Sequence, residues 1–191
     1  MLSLRTAVAL VGLVIPLAPP NEPLSPFGAR DAPRAAAPSA DTLRVLAYNI
    51  HHGEGMDSVL DLERIAELIR RVDPDLVALQ EVDSAVARTG GVDQAAELGR
   101  LTGLTPVFGG FMPYQGGAYG MALLSRWPIR STANHRLPDG DEPRTALEAV
   151  VRSPVTGREL RFVGIHFYRT EEERAAQADS LDVRLGGALL L

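Results

Sequence analysis

The sequence predicts an α/β fold, and three observations carry that reading. Two short apolar runs, residues 43–50 and 75–79, flank a segment whose apolar side chains recur every three or four positions. The second run stops at Gln80 and Glu81, so a buried strand delivers a carboxylate at its carboxyl end, where open α/β sheets place ligands. Farther on, two alternating stretches around Pro154 and Gly157 read as an antiparallel hairpin.

A chain of 191 residues with 46% apolar content is long enough for one real core. The formal net charge is −5 and every basic residue is an arginine, with no basic run of the kind nucleic-acid binding requires. A phosphate substrate remains compatible with that charge, because a bound divalent cation reverses the local field. Cysteine is absent, which excludes disulfides and thiolate metal sites. Any metal must use oxygen or imidazole ligands.

Arg5 and the apolar stretch 7–15, followed by Pro16, Pro19 and Pro20, read as a secretory signal over residues 1–18, either cleaved or kept as an N-terminal anchor. The stretch is too short for an ordinary spanning helix. Residues 19–41 are rich in proline and alanine without apolar periodicity and read as a disordered linker. The folded domain is expected over 42–191. This places the protein in an exported compartment: periplasmic, extracellular or membrane-anchored.

Residues 43–50 form a strand covered on both faces, ending on Asn49. Asp61 caps a helix with apolar positions Leu62, Ile65, Ala66, Leu68, Ile69 and Val72, and Asp73-Pro74 stops it. Strand, helix and strand then make a crossover unit, and parallel pairing makes Asn49 and Glu81 neighbours. A second helix runs from Asp93 through Leu101 to a stop at Thr102-Gly103, and a short strand lies near Pro106 to Phe108. Residues 109–120, rich in glycine and aromatic groups, read as a functional loop. An apolar run over 121–124 and a polar loop around Pro138 follow. The hairpin strands are 144–152 and 158–166, the second ending on His166. Residues 171–184 are helical by pattern, with acids in the first turn.

Three strands thus end on Asn49, Glu81 and His166, groups suited to a phosphate and a hard cation. Magnesium takes oxygen ligands, often one or two carboxylates with water and substrate phosphate, so Glu81 is an adequate anchor. His51 and His52 invite a zinc reading, but adjacent side chains on an extended chain point to opposite faces, so they read as loop residues.

The ordered pieces Ala47-Tyr-Asn49-Ile-His-His-Gly53, Ala78-Leu-Gln80-Glu81-Val-Asp83, Gly117-Ala-Tyr119-Gly-Met-Ala-Leu-Leu-Ser125-Arg126-Trp-Pro128, Arg144 ahead of Ala146-Leu147, and His166 followed by Arg174 and Gln177 carry a family resemblance. Residues 43–178 resemble the first half of the endonuclease/exonuclease/phosphatase superfamily, the deoxyribonuclease-I-like fold. The resemblance implies a partial four-layer α/β/β/α sandwich with its C-terminal half missing. It implies hydrolysis of phosphoesters with Mg2+ (or Mn2+), with Glu81 holding the cation and Asn49 supporting metal and phosphate. By the same carry-over Tyr119 and Arg144 face the substrate, and His166 donates to a phosphate oxygen.

The superfamily's second half, with a Gly-Asp-x-Asn segment and a terminal Asp-His pair, has no counterpart in this sequence. Phe167-Tyr168-Arg169 stands where Leu-Asp-His is usual, and Met121 stands where asparagine is common. Two functional expectations result. One is a phosphoester hydrolase for lipid head groups, inositol phosphates or other phosphodiesters, with a small molecule or lipid head group favoured over nucleic acid and no protein partner implied. The alternative is a noncatalytic truncated remnant or binding module.

Overall fold

The computed structural model describes residues 43–138, 140–154 and 157–185. The expected signal or anchor and linker lie outside the described residues. All described residues fall in the second of the chain's two compact units, Ala35–Leu191.

Among the described residues seven strands and three α-helices follow in order: β1 (Val45–Asn49), α1 (Leu62–Val72), β2 (Leu76–Ser84), α2 (Gln94–Thr102), β3 (Thr105–Tyr114), β4 (Gly117–Ser125), β5 (Ile129–Arg136), β6 (Thr145–Arg152), β7 (Glu159–Ile165) and α3 (Glu171–Leu185). One sheet has the order β1-β2-β4-β3, the other β5-β6-β7. β1 and β2 are parallel, as a crossover through α1 requires, and the other pairings are antiparallel.

Capping chemistry sets the helices. The Asp61 side chain accepts from Arg64 N at 2.9 Å, and Asp93 accepts from Ala96 N at 3.0 Å, each filling one of the orphan donors of a first turn. Asp73 and Gly103 close the two helices in left-handed conformation.

Alternation along the strands assigns the layers. Val77 and Leu79 of β2 and Ala122 and Leu124 of β4 face α1 and α2, packing with Ile65, Ala66, Ile69 and Leu98. Their neighbours Leu76, Ala78, Met121 and Leu123 face the other way and pack on Leu147, Ala149, Val151 and Phe162 of the second sheet. The outer face of that sheet packs Ala146 and Val163 against Leu181 of α3. The result is the α/β/β/α layering, with β2 and β4 buried on both faces, which is why they read as unbroken apolar runs. Gly164 lies where the sheets meet: a Cβ there would sit 2.5 Å from Met121 Cε and 2.7 Å from Leu123 Cδ2.

Residues 109–120 are not a loop but the arms of a β3–β4 hairpin. Its two-residue turn, Gln115-Gly116, has φ of 42° and 85°, the left-handed pair that tight hairpins favour. Glycine there serves strand contact, since a Cβ on Gly120 would lie 2.1 Å from the Gly109 carbonyl oxygen. The short strand expected near Pro106 therefore runs to Tyr114. β5 has no counterpart in the sequence reading, because its residues are mostly exposed and polar. It is ordered by pairing with β6.

Candidate active site

β1 ends on Asn49, paired to Gln80, whereas β2 does not stop at Gln80-Glu81 as the apolar run suggested but continues to Ser84, with Val82 and Asp83 buried and still paired to β4. Immediately after Gln80 the β2–β4 register shifts, and Glu81 is the extra residue, at φ 59°. Such a bulge re-aims one side chain without ending the strand. Glu81 thereby turns toward Asn49, whose Nδ2 donates to Glu81 Oε1 at 2.7 Å. The Asn49 Oδ1 accepts from His51 N at 2.9 Å, so both ends of that amide are used. His166, just past β7, places Nε2 3.9 Å from Glu81 Oε1.

Tyr119 and Arg144 stand beside this group through Phe111. The Phe111 ring meets Tyr119 edge-on at 5.8 Å, lies 6.1 Å from the His166 ring, and has the Arg144 guanidinium 5.2 Å away. Arg144 is only 6% exposed, donates to Glu142 Oε1 at 2.7 Å and lies 5.6 Å from the Tyr168 ring. Its Nε and the His166 Nδ1 are buried with no hydrogen-bond partner among the described residues. Met121, fully buried in the layer between the sheets, brings no polar group.

Burial, reinforced by the Glu81 carboxylate, pushes the Tyr119 hydroxyl up and keeps it protonated. Burial and then the nearby Arg144 cation lower His166 below the ordinary imidazole value, with Glu81 opposing them. Near neutral pH the site therefore offers a neutral imidazole, a protonated phenol and a guanidinium around one carboxylate.

The histidine pair departs from the sequence expectation. His51 and His52 are not extended: they open a tight turn with φ of 47° and 45°, closed by Gly53 at φ 86°. Their rings stand 4.3 Å apart, and one ligand atom from each lies within 4.8 Å of the other and of a Glu81 oxygen. The alternation rule fails because a left-handed turn is not a strand. Gly53 after the pair was the available signal. Gln94, fully buried on α2, holds this turn to β2, its Nε2 donating to His52 O at 2.6 Å while its Oε1 accepts from Asp83 N at 2.9 Å. Sequence reasoning also missed Arg88, whose guanidinium makes two bonds to buried Asp83, at 2.7 and 2.8 Å, and lies over the Tyr114 and Tyr119 rings at 4.8 and 5.3 Å.

The model of the Endonuclease/Exonuclease/phosphatase family matches residues 46–190. The chain belongs to this family. As a family member it is 29% identical over 145 residues to the uncharacterized protein YbhP of Escherichia coli (strain K12), covering 71% of this chain and 57% of YbhP. The chain thus spans little more than half the length of that relative. The endonuclease/exonuclease/phosphatase from Beutenbergia cavernae DSM 12333 superposes with a TM-score of 0.60 at 26% identity, over 73% of this chain and 43% of that one. Truncated Caenorhabditis elegans TDP2 shares the fold at 18% identity and a TM-score of 0.55, over 75% of this chain and 54% of its own. In this endonuclease/exonuclease/phosphatase chain the carboxylate and imidazoles around Glu81 form a donor set that fits a divalent cation.

Proposed function

We propose that this chain carries the Glu81 side of a divalent-cation-dependent phosphoester hydrolase site. The observation behind the proposal is the meeting of Asn49 at the end of β1, Glu81 in the bulge of β2 and His166 just past β7, with Tyr119 and Arg144 gathered around Phe111 beside them. Glu81 holds Mg2+ (or Mn2+), and Asn49 fixes the carboxylate's orientation while supporting the phosphate. The bound cation supplies charge stabilisation for a phosphoryl oxygen. Arg144 and the Tyr119 hydroxyl face the substrate anion, and the neutral His166 ring donates to a phosphate oxygen.

The substrate we propose is a small phosphoester or lipid head group, in keeping with a net charge of −5 and no basic run. Export, on the strength of the apolar stretch 7–15, belongs to the same proposal. The test is turnover by the full chain with Mg2+ or Mn2+ on a panel of phosphodiesters and phosphomonoesters. Wild type should exceed Glu81→Gln by about 100-fold or more on at least one member. Equal rates across the panel would overturn the proposal.

A second reading is a module that binds a phosphoester through the same Glu81, Arg144 and His166 groups without turning it over. It predicts Glu81-dependent binding of a phosphoester with no turnover.

A further inference from the structure

We propose that His51 and His52 join Glu81 in a two-imidazole, one-carboxylate site that binds a borderline-soft transition metal such as Zn2+ or Co2+ more tightly than the Mg2+ (or Mn2+) of the hydrolase reading. This rests on the reading that Glu81 holds the cation. Three of the chain's four histidines lie around Glu81, and two of them come within ligand reach of it. Donor atoms around one zinc ion are held about 2.0–2.2 Å from the metal, hence roughly 3–4 Å from each other. The three ligand atoms here already lie within 4.8 Å of one another, so small side-chain rotations close the set.

The backbone is shaped to hold it. His51, His52 and Glu81 are all left-handed, at φ 47°, 45° and 59°. Outside glycine that conformation is uncommon and strained, and packing must sustain it. What the strain accomplishes is visible in the rings: on an extended chain His51 and His52 would diverge, whereas their centroids here lie 4.3 Å apart. The supports are specific. Gln94 fixes the carbonyl of His52 and Asn49 fixes the amide of His51. Imidazole nitrogen suits Zn2+ and Co2+, while Mg2+ prefers oxygen and gains nothing from either ring.

The experiment titrates the metal-free full chain with Mg2+, Co2+ and Zn2+ separately, by calorimetry, with the visible Co2+ spectrum as a readout independent of activity. His51→Asn and His52→Asn remove the imidazole while retaining a residue that tolerates the left-handed backbone, so folding is preserved. Wild type should bind Zn2+ about 100-fold more tightly than Mg2+. Each asparagine variant should lose about tenfold or more in Zn2+ affinity and weaken the Co2+ bands, with Mg2+ affinity within about twofold of wild type. Unchanged Zn2+ affinity and unchanged Co2+ bands in both variants would overturn the proposal. Histidine-dependent Zn2+ binding in a protein without turnover would uphold this site while removing the hydrolase reading.

Discussion

Asn49 Nδ2 and Glu81 Oε1 meet at 2.7 Å between the end of β1 and the bulge of β2, and the same asparagine accepts the His51 amide. Asn49 therefore fixes the carboxylate and the histidine turn together. Asn49→Ala should weaken divalent-cation binding by about 10-fold to 100-fold, less than Glu81→Gln does, with the unfolding midpoint little changed. Calorimetric titration of both variants beside wild type measures the order. Equal losses would show that Asn49 does more than orient its neighbour.

Arg88 neutralises Asp83, which is fully buried and also bonded by Thr89 Oγ1. Removing the guanidinium strands the carboxylate, while changing the acid to an amide does not. Arg88→Ala is expected to destabilise by roughly 3 kcal/mol and Asp83→Asn by less. Urea unfolding with an unchanged slope reads the difference.

Gly120 has no room for a methyl group, because a Cβ would lie 2.1 Å from Gly109 O and 2.8 Å from Gly110 Cα, both backbone atoms. Gly120→Ala should cost about 3 kcal/mol or more by forcing β3 and β4 apart. Gly116, left-handed in the hairpin turn but with nothing within 4 Å of its Cβ position, is the contrast. Gly116→Asn should stay within about 1 kcal/mol of wild type, as both thermal and urea midpoints would register.

Glu148 is buried in the second sheet between Arg161, at 2.9 and 3.0 Å, and His135, at 2.8 Å. The Arg161 hydrogen bonds hold its carboxyl below the usual glutamate value, against the opposing effect of burial and with help from His135. Because the folded value lies below the unfolded one, the stabilisation is complete above the unfolded glutamate range and is lost as pH falls through the folded value. The thermal midpoint should drop below about pH 4, and Glu148→Gln should flatten that acid limb while lowering stability at neutral pH. Melting curves from pH 3 to 7 (roughly the range spanning carboxylate titration) make the comparison.

The crossover unit was legible because its signals are local: the Asp61 cap, the Asp73-Pro74 stop and the unbroken apolar runs each act within a few residues. Glu81 was legible for the same reason, as the first acid after a buried run. The hairpin of β3 and β4 was not, since glycine marks both flexible loops and close strand contact, and only the Gly109–Gly120 approach distinguishes them. β5 draws its order from β6 and carries almost no apolar alternation of its own. The histidine turn was hidden by an assumption about backbone shape. Its left-handed dihedrals depend on Gln94, forty-two residues away in sequence from His52.

The bulge at Glu81 bears on entropy. On either side of it Gln80 pairs with Met121 and Val82 pairs with Gly120, so the extra residue hangs between two fixed points of one sheet. A ligand carried on a free loop surrenders about 1–2 kcal/mol per residue when an ion orders its backbone. Glu81 has already surrendered that freedom on folding. On the proposed reading, capture of a cation draws on side-chain rotation alone, and the discrimination between one ion and another is left to the chemistry of the donors.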